Sequence, residues 1–270
     1  MTIQPPASPD LEGAILAAAA SLWEAQRSGV PCPPVREGLA AHGVDAAYRV
    51  QELNIARHLS PVVRRVGRKI GLTSTAVQQQ LKVNEPDFGS LLSDMAVSDG
   101  GVMPAGAVLQ PKAEGEIAFV LATDLDMPAP TAADILRATD FILPAIEIVG
   151  SRVENWAISL IDTVADNASS GMFVLGTPAR SPFDFDFAGC AMRMTFDGRE
   201  VSAGTGRACL GNPLNAVAWL AGRMHALGVP LRAGELILSG ALGPMATPTP
   251  GAVVEVEISG LGTATFALEN

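Results

Sequence analysis

From residue 64 onwards the chain is a succession of short apolar runs cut apart by Gly, Pro and Asp, a texture that suits brief strands more than long helices. Strands are expected at residues 66–70, 107–109, 117–121, 141–149, 172–175, 191–196, 199–202, 236–238, 253–258 and 263–268, with Asp197-Gly198 turning one hairpin. Helices are expected at 75–81, 132–138 and 212–227. The first sixty residues read differently. Ser8-Pro9-Asp10-Leu11-Glu12 offers a cap and a first-turn proline to an alanine-rich helix that stops near Gly29. Pro31, Pro33 and Pro34 then break the chain before a second helix from Asp45 to about Leu59. The expected organisation is a helical cap over residues 1–62 and a β-rich domain over 63–270. Strands and helices do not alternate regularly, and no GxGxxG or Walker sequence stands at a strand-to-helix turn. An α+β fold on curled sheets is therefore expected, not a doubly wound nucleotide-binding fold.

A hydrophobic fraction of 48% is ample for a packed core. Twenty-eight acidic against eighteen basic residues give a net charge of −10, and the only basic cluster is Arg64, Arg65, Arg68 and Lys69. That balance argues against nucleic acid and anionic membrane as partners. It leaves room for a small anionic substrate held by a few local cations. Cys32, Cys190 and Cys209 are odd in number and have no CxxC spacing, which fits a reducing compartment. Residues 1–10 lack the basic start of a signal peptide, and the apolar stretch 14–23 is too short to span a bilayer; a cytoplasmic protein is expected.

Acids interrupt two of the apolar runs. In Gln110-Pro111-Lys112-Ala113-Glu114-Gly115-Glu116-Ile117-Ala118-Phe119-Val120-Leu121, a period of two puts Glu114 and Glu116 on one face of a strand, where two buried like charges repel unless a cation lies between them. Glu147 is the only ionisable residue in Phe141-Ile142-Leu143-Pro144-Ala145-Ile146-Glu147-Ile148-Val149-Gly150, and an isolated buried carboxylate costs several kcal/mol unless paired or metal-bound. Together the three would make an all-oxygen site suited to Mg2+ or Mn2+, with positions left for water and a bidentate keto acid. Ion pairing with Lys112, Arg152 or Arg193 explains the same acids, and on pattern alone both readings stand open.

Lys69, in Gly67-Arg68-Lys69-Ile70-Gly71-Leu72-Thr73, is either an edge-strand lysine or an ammonium facing a pocket, able to anchor a carboxylate and to exchange a proton once desolvation lowers its pKa. Asp87, in Glu85-Pro86-Asp87-Phe88-Gly89, is either a turn cap or a general acid or base on a loop folded over the site. The polar stretch Asp162 to Gly171 is either a carboxylate-holding nest or a plain loop. His42, His58 and His225 fall in expected helices and complete no nucleophilic set.

Lys69-Ile70-Gly71-Leu72-Thr73-Ser74, Glu85 to Gly89, Gln110 to Leu121, Leu143-Pro144-Ala145-Ile146-Glu147 and Asp162 to Gly171 occur in the order found in 2-keto-4-pentenoate hydratases, which the chain resembles over nearly its whole length. Those enzymes belong to the fumarylacetoacetate hydrolase superfamily. The resemblance implies a mixed β-sandwich or β-roll, a Mg2+ or Mn2+ ion on Glu114, Glu116 and Glu147, catalytic roles for Lys69 and Asp87, substrate contacts at Leu72 and Ser170, and a homo-oligomer. It also implies a substrate, 2-hydroxypenta-2,4-dienoate or an alkyl homologue from aromatic meta-cleavage, hydrated to a 4-hydroxy-2-oxo acid.

Gly115 departs from the alanine usual between the two glutamates in these hydratases and bears on pocket shape. Related 4-oxalocrotonate decarboxylases share the triad and the lysine. Asp87, apolar in the decarboxylases, and the Ser169-Ser170-Gly171 ending favour hydration. A silent subunit that stabilises a partner enzyme of the same pathway is the third reading, weakened by the presence of all five site residues.

Overall fold

The computed structural model describes residues 9–74, 78, 79 and 83–270. Ser8 and most of the helix expected at 75–81 lie outside the described residues. Helices α1 (Pro9–Ser28), α2 (Arg36–Leu39) and α3 (Gly43–His58) form the amino-terminal layer. On α1, Ile15, Ala18, Ala19, Leu22 and Ala25 recur at the spacing of one helical face and are buried against Leu39, Ala47 and Val50. Asp10 and Glu12 in the first turn and Arg27 in the last complement the helix dipole. The same apolar cluster takes in Val153, Val164 and Ala165, so this layer rests on a later helix, α5 (Leu160–Ala165). No helix among the described residues is long and apolar enough to cross a membrane.

The rest is built on two sheets. The larger has the order β2 (Asp87–Leu92), β1 (Arg65–Gly71), β10 (Leu236–Leu238), β5 (Lys112–Leu121), β6 (Thr139–Val149), β7 (Ser170–Leu175), β3 (Ala96–Val97). The smaller has the order β4 (Gly101–Met103), β12 (Gly262–Leu268), β11 (Val253–Ile258), β8 (Ala191–Phe196), β9 (Arg199–Thr205). Helices α4 (Ala132–Ala138) and α6 (Pro213–Ala226) complete the α+β architecture expected from the sequence. Asn212 caps α6 through Leu214 N–H, and Pro213 occupies its first turn.

Strand alternation sorts β5 into two functions. Ala113, Ile117, Phe119 and Leu121 join a core shared with Met192, Met194, Val254, Val256 and Phe266 of the second sheet. Ile117 and Phe119 are fully buried, each contributing roughly 1.5–3 kcal/mol by removal from water. The opposite face carries Glu114 and Glu116 and then joins the smaller apolar cluster of Ala118, Ala145, Leu238 and Phe173.

Two local expectations need correction. Residues 107–109 form no strand; the strand of that region is β4, which pairs parallel to β12. Asp87 does not sit in a loop but begins β2, a strand buried along its whole length and antiparallel to β1.

Candidate active site

The register of β5 on β6 sets Glu114 directly opposite Glu147. Glu116 lies two residues further along the same face, and one carboxylate oxygen from each of the three lies within 4.8 Å of the others. Glu116 and Glu147 are wholly buried, while Glu114 is partly exposed at the mouth. Glu116 Oε2 accepts a 2.8 Å hydrogen bond from Gly240 N–H, whose φ of 99° favours glycine. Glu116 Oε1 and both Glu147 carboxylate oxygens have no aligned hydrogen-bond donor. Burial foremost, then the neighbouring acids, raises the pKa of Glu116 well above its ordinary value; burial above all pushes that of Glu147 up to about 7.

The rival ion-pair reading can be tested partner by partner. Lys112 Nζ lies over the Trp156 ring, 4.3 Å from its centroid. Arg152 pairs with Asp166 and Arg193 with Glu257. None of the three expected partners reaches the glutamates. Among the described residues the cation that does is Lys69, whose Nζ lies 3.3 Å from Glu147 Oε1. One ammonium against three carboxylates leaves a formal −2 in a buried site, and unbonded acceptor oxygens face one another. A hard divalent cation fits that donor set in charge and in chemistry.

Lys69 and Asp87 approach from the adjoining strands. Lys69 is paired in register with Gly89 of β2 and Leu238 of β10, and its Nζ donates to Ala168 O at 2.8 Å. Burial pulls its pKa down, but Glu147, Asp87, Glu114 and Glu116 outweigh burial and hold it above the ordinary lysine value. This corrects the expected lowered pKa: its neighbours hold Lys69 as a cation. Asp87 is buried, and burial raises its pKa even though Lys69 opposes the shift. Thr163 Oγ1 donates to Asp87 Oδ2 at 3.4 Å and shares a 3.2 Å hydrogen bond with Ser169 Oγ. Oδ1 of Asp87 has no aligned donor.

Lys69, Asp87, Glu114, Thr163 and Ser169 line a cavity of about 320 Å³ whose walls include Leu72, Val149, Ile158 and Met245. Leu72 lines it in a left-handed conformation of φ 57°. Ser170 does not line it. It begins β7, its hydroxyl lies against Gly89, and it borders a different cavity beside α1 and α3. Ser169 lines the site in its stead. Of the two readings left open for the 162–171 stretch, the nest towards the site is not the one formed. Asp162 binds Arg36 and caps α5, Asp166 is taken by Arg152, and a carbonyl, not an N–H, faces Lys69.

Residues 53–269 match the model of the fumarylacetoacetate (FAA) hydrolase C-terminal family. The 2-keto-4-pentenoate hydratase of Paraburkholderia xenovorans is 52% identical over 94% of either chain. The chain belongs to the 2-keto-4-pentenoate hydratase family. A second member, 2-keto-4-pentenoate hydratase 2 of Dechloromonas aromatica, is 53% identical over 93% of this chain and 97% of its own. Among solved structures, 4-oxalocrotonate decarboxylase of Pseudomonas putida G7, complexed with magnesium and adipate, superposes with a TM-score of 0.90 at 32% identity, covering 95% of this chain and 98% of its own.

Against the hydratase background, Gly115 acquires a defined place. A Cβ there would point between the sheets, 2.9–3.0 Å from Met192 and Val256 atoms, so the glycine bears on sheet packing and not on the pocket. Gly71 is the glycine that touches the site. A Cβ at position 71 would overlap Asp87 Oδ1 and approach Lys69 Nζ to 3.5 Å. Gly71→Ala is therefore expected to lower kcat by about 10²-fold by displacing Asp87, with metal affinity little changed. Steady-state kinetics beside a metal titration measure both; an unimpaired kcat would remove Asp87 from the reaction.

Proposed function

We propose that this protein is a divalent-metal-dependent hydro-lyase that converts 2-hydroxypenta-2,4-dienoate, or an alkyl homologue, to the 4-hydroxy-2-oxo acid. The observation that carries the reading is the juxtaposition of the Glu114, Glu116 and Glu147 carboxylates, within 4.8 Å of one another, with Lys69 and Asp87, which line one cavity together with Glu114. Magnesium or manganese on the three glutamates supplies positive charge to the 2-oxo-acid end of the substrate.

The chain's own groups divide the remaining work. Lys69 stays protonated and anchors the developing negative charge at the C2 oxygen. The 2-hydroxyl proton is released to solvent as the substrate binds as its dienolate. Asp87, biased by burial towards its neutral acid, gives a proton to C5, which yields the conjugated 2-oxo-3-enoate. The resulting Asp87 carboxylate takes a proton from water as its oxygen bonds to C4, and returns that proton to C3. A solvent proton restores the Asp87 acid at the end of the cycle. Thr163 and Ser169 hold Asp87 in place through the hydroxyl pair.

Decarboxylation of 2-oxohex-3-enedioate is the second reading, favoured by the fold-level match to the decarboxylase. The apolar walls Val149, Ile158 and Met245 favour an uncharged substrate tail, while Lys112, over Trp156 on the same cavity, is the cation that a second carboxylate would meet. In the proposed setting the enzyme is cytoplasmic and homo-oligomeric, in keeping with three unpaired, buried cysteines. Incubation of the dienoate with enzyme and Mg2+ should bleach the dienol absorbance, and a chelator should stop it. Carbon dioxide release from the enedioate with no bleaching of the dienoate would overturn the hydratase reading.

Metal binding should also report the raised carboxyl pKa values. Below about pH 7 Glu147 carries a proton that the metal must displace, so apparent affinity should fall about tenfold per pH unit for each proton released as the pH drops through that range. Calorimetry in buffers of different ionisation enthalpy counts those protons. An affinity constant from about pH 5.5 to 8.5 would contradict the three-glutamate site.

A further inference from the structure

The segment between α5 and β7 is held in an unusual shape. Asn167, Ala168 and Ser169 have φ of 55°, 50° and 57°, three consecutive non-glycine residues in the left-handed region. Such residues are strained and persist only where surroundings fix them. Two side chains outside the catalytic cavity do the fixing. Asn167 imitates a strand residue on the edge of β2: its Oδ1 accepts from Ser90 N–H at 2.8 Å and its Nδ2 donates to Ser90 O at 2.9 Å. Arg152 clamps both ends of the turn, Nη2 donating to Asp166 O at 2.6 Å and Nη1 to Ser170 O at 2.7 Å. Its Nε and backbone N–H also bind the Asp166 carboxylate.

The inner side of the turn carries what the reaction uses. Ala168 O is the hydrogen-bond acceptor of Lys69 Nζ, and Ser169 Oγ is bonded to the Thr163 hydroxyl that holds Asp87.

We infer that Arg152 and Asn167 are positioning residues: from behind the cavity they lock residues 166–170 into a left-handed turn that aims the Ala168 carbonyl at Lys69 and the Ser169 hydroxyl at the Thr163–Asp87 pair. The inference rests on the proposed roles of Lys69 and Asp87. It separates two tasks that the site otherwise mixes, because the turn touches neither Glu114 nor Glu116 and should leave metal binding alone. Arg152 also borders the second cavity, of about 300 Å³, between the turn and α1 and α3. A small cation can therefore reach the place of its guanidinium.

Asn167→Gly is the first test, because glycine adopts the left-handed region freely while losing the amide anchor. It should lower kcat per metal-titrated site about 10- to 100-fold, with KM and metal affinity within about twofold of wild type. Arg152→Ala should lose kcat likewise, and added guanidinium should restore it at least about tenfold while methylammonium does not. Unchanged kcat in Asn167→Gly, a parallel loss of metal affinity, or absence of rescue would overturn the inference. If wild type itself does not hydrate the dienoate, the functional reading fails separately. The turn is then judged from a crystal structure of metal-loaded Asn167→Gly, in which an Ala168 carbonyl still bonded to Lys69 would overturn it.

Discussion

Glu147→Gln is expected to abolish metal-dependent turnover, lowering kcat/KM by at least about 10³-fold, while the metal-free protein folds as before. Glutamine keeps the volume but withdraws one of three anionic ligands from a site where two of them face each other across β5 and β6. Altering groups that merely support a ligand typically costs 10- to 100-fold in affinity, so loss of the ligand's charge should cost more than about 100-fold. The metal-free protein gains from losing a like charge opposite Glu114 and loses the partner of Lys69, which keeps Asp87, Glu114 and Glu116 nearby. Those effects oppose each other, so the metal-free Tm should move little. The diagnostic is the increment on adding metal. For wild type at about 100 times Kd, binding to the folded state adds about 2.7 kcal/mol, or about 5 °C in a domain of this size. Glu147→Gln should show almost none. A full increment with retained turnover would place the metal elsewhere.

The grouping of the three glutamates was legible in the sequence because its signal is local. A period of two fixes that Glu114 and Glu116 share a face, and an uninterrupted apolar run around Glu147 fixes that it is buried. What the sequence left open was whether a cation residue neutralises them. That depended on Lys112, Arg152 and Arg193, each of which turned out to be engaged with Trp156, Asp166 or Glu257 through contacts distant along the chain.

The misreadings share a cause. Asp87 looked like a turn residue because Pro86 and Gly89 flank it, yet Gly89 is there because Asn167 O approaches so closely that no side chain fits, and strand pairing with β1 decides the conformation. Ser170 was favoured over Ser169 because nothing local announces a left-handed turn made without glycine. Asn167 was the one hint, as the residue that tolerates this region best after glycine. The turn exists through Ser90 and Arg152, which lie 77 and 14 or more residues away along the chain from the groups they hold. Lys69 faces the cavity, but the direction of its pKa depended on four carboxylates from three strands meeting around it.

That collection of charge makes Lys69→Met the sharper counterpart to Glu147→Gln. Methionine fills a similar slot without the ammonium, so the C2 oxygen loses a fixed positive neighbour and kcat should fall about 10²- to 10³-fold. Metal affinity should move the other way. Lys69 and a dication compete for the same electrostatic well, and removing an ammonium 3.3 Å from Glu147 removes repulsion that the metal otherwise has to overcome. Stability follows the same logic with an opposite sign in the metal-free state. Glu147 and Glu116 would be left buried without a cation, a change of about 3–5 kcal/mol where one partner of a buried pair is removed, less whatever protonation of the raised carboxyls recovers. Metal should return most of that stability, so the metal-induced rise in Tm should exceed that of wild type. Lys69→Met thus dissociates binding from turnover: tighter metal, larger thermal increment, slower reaction. If metal affinity and kcat instead fell together, Lys69 would be holding the glutamates in place and the charge at the C2 oxygen would have to come from another group.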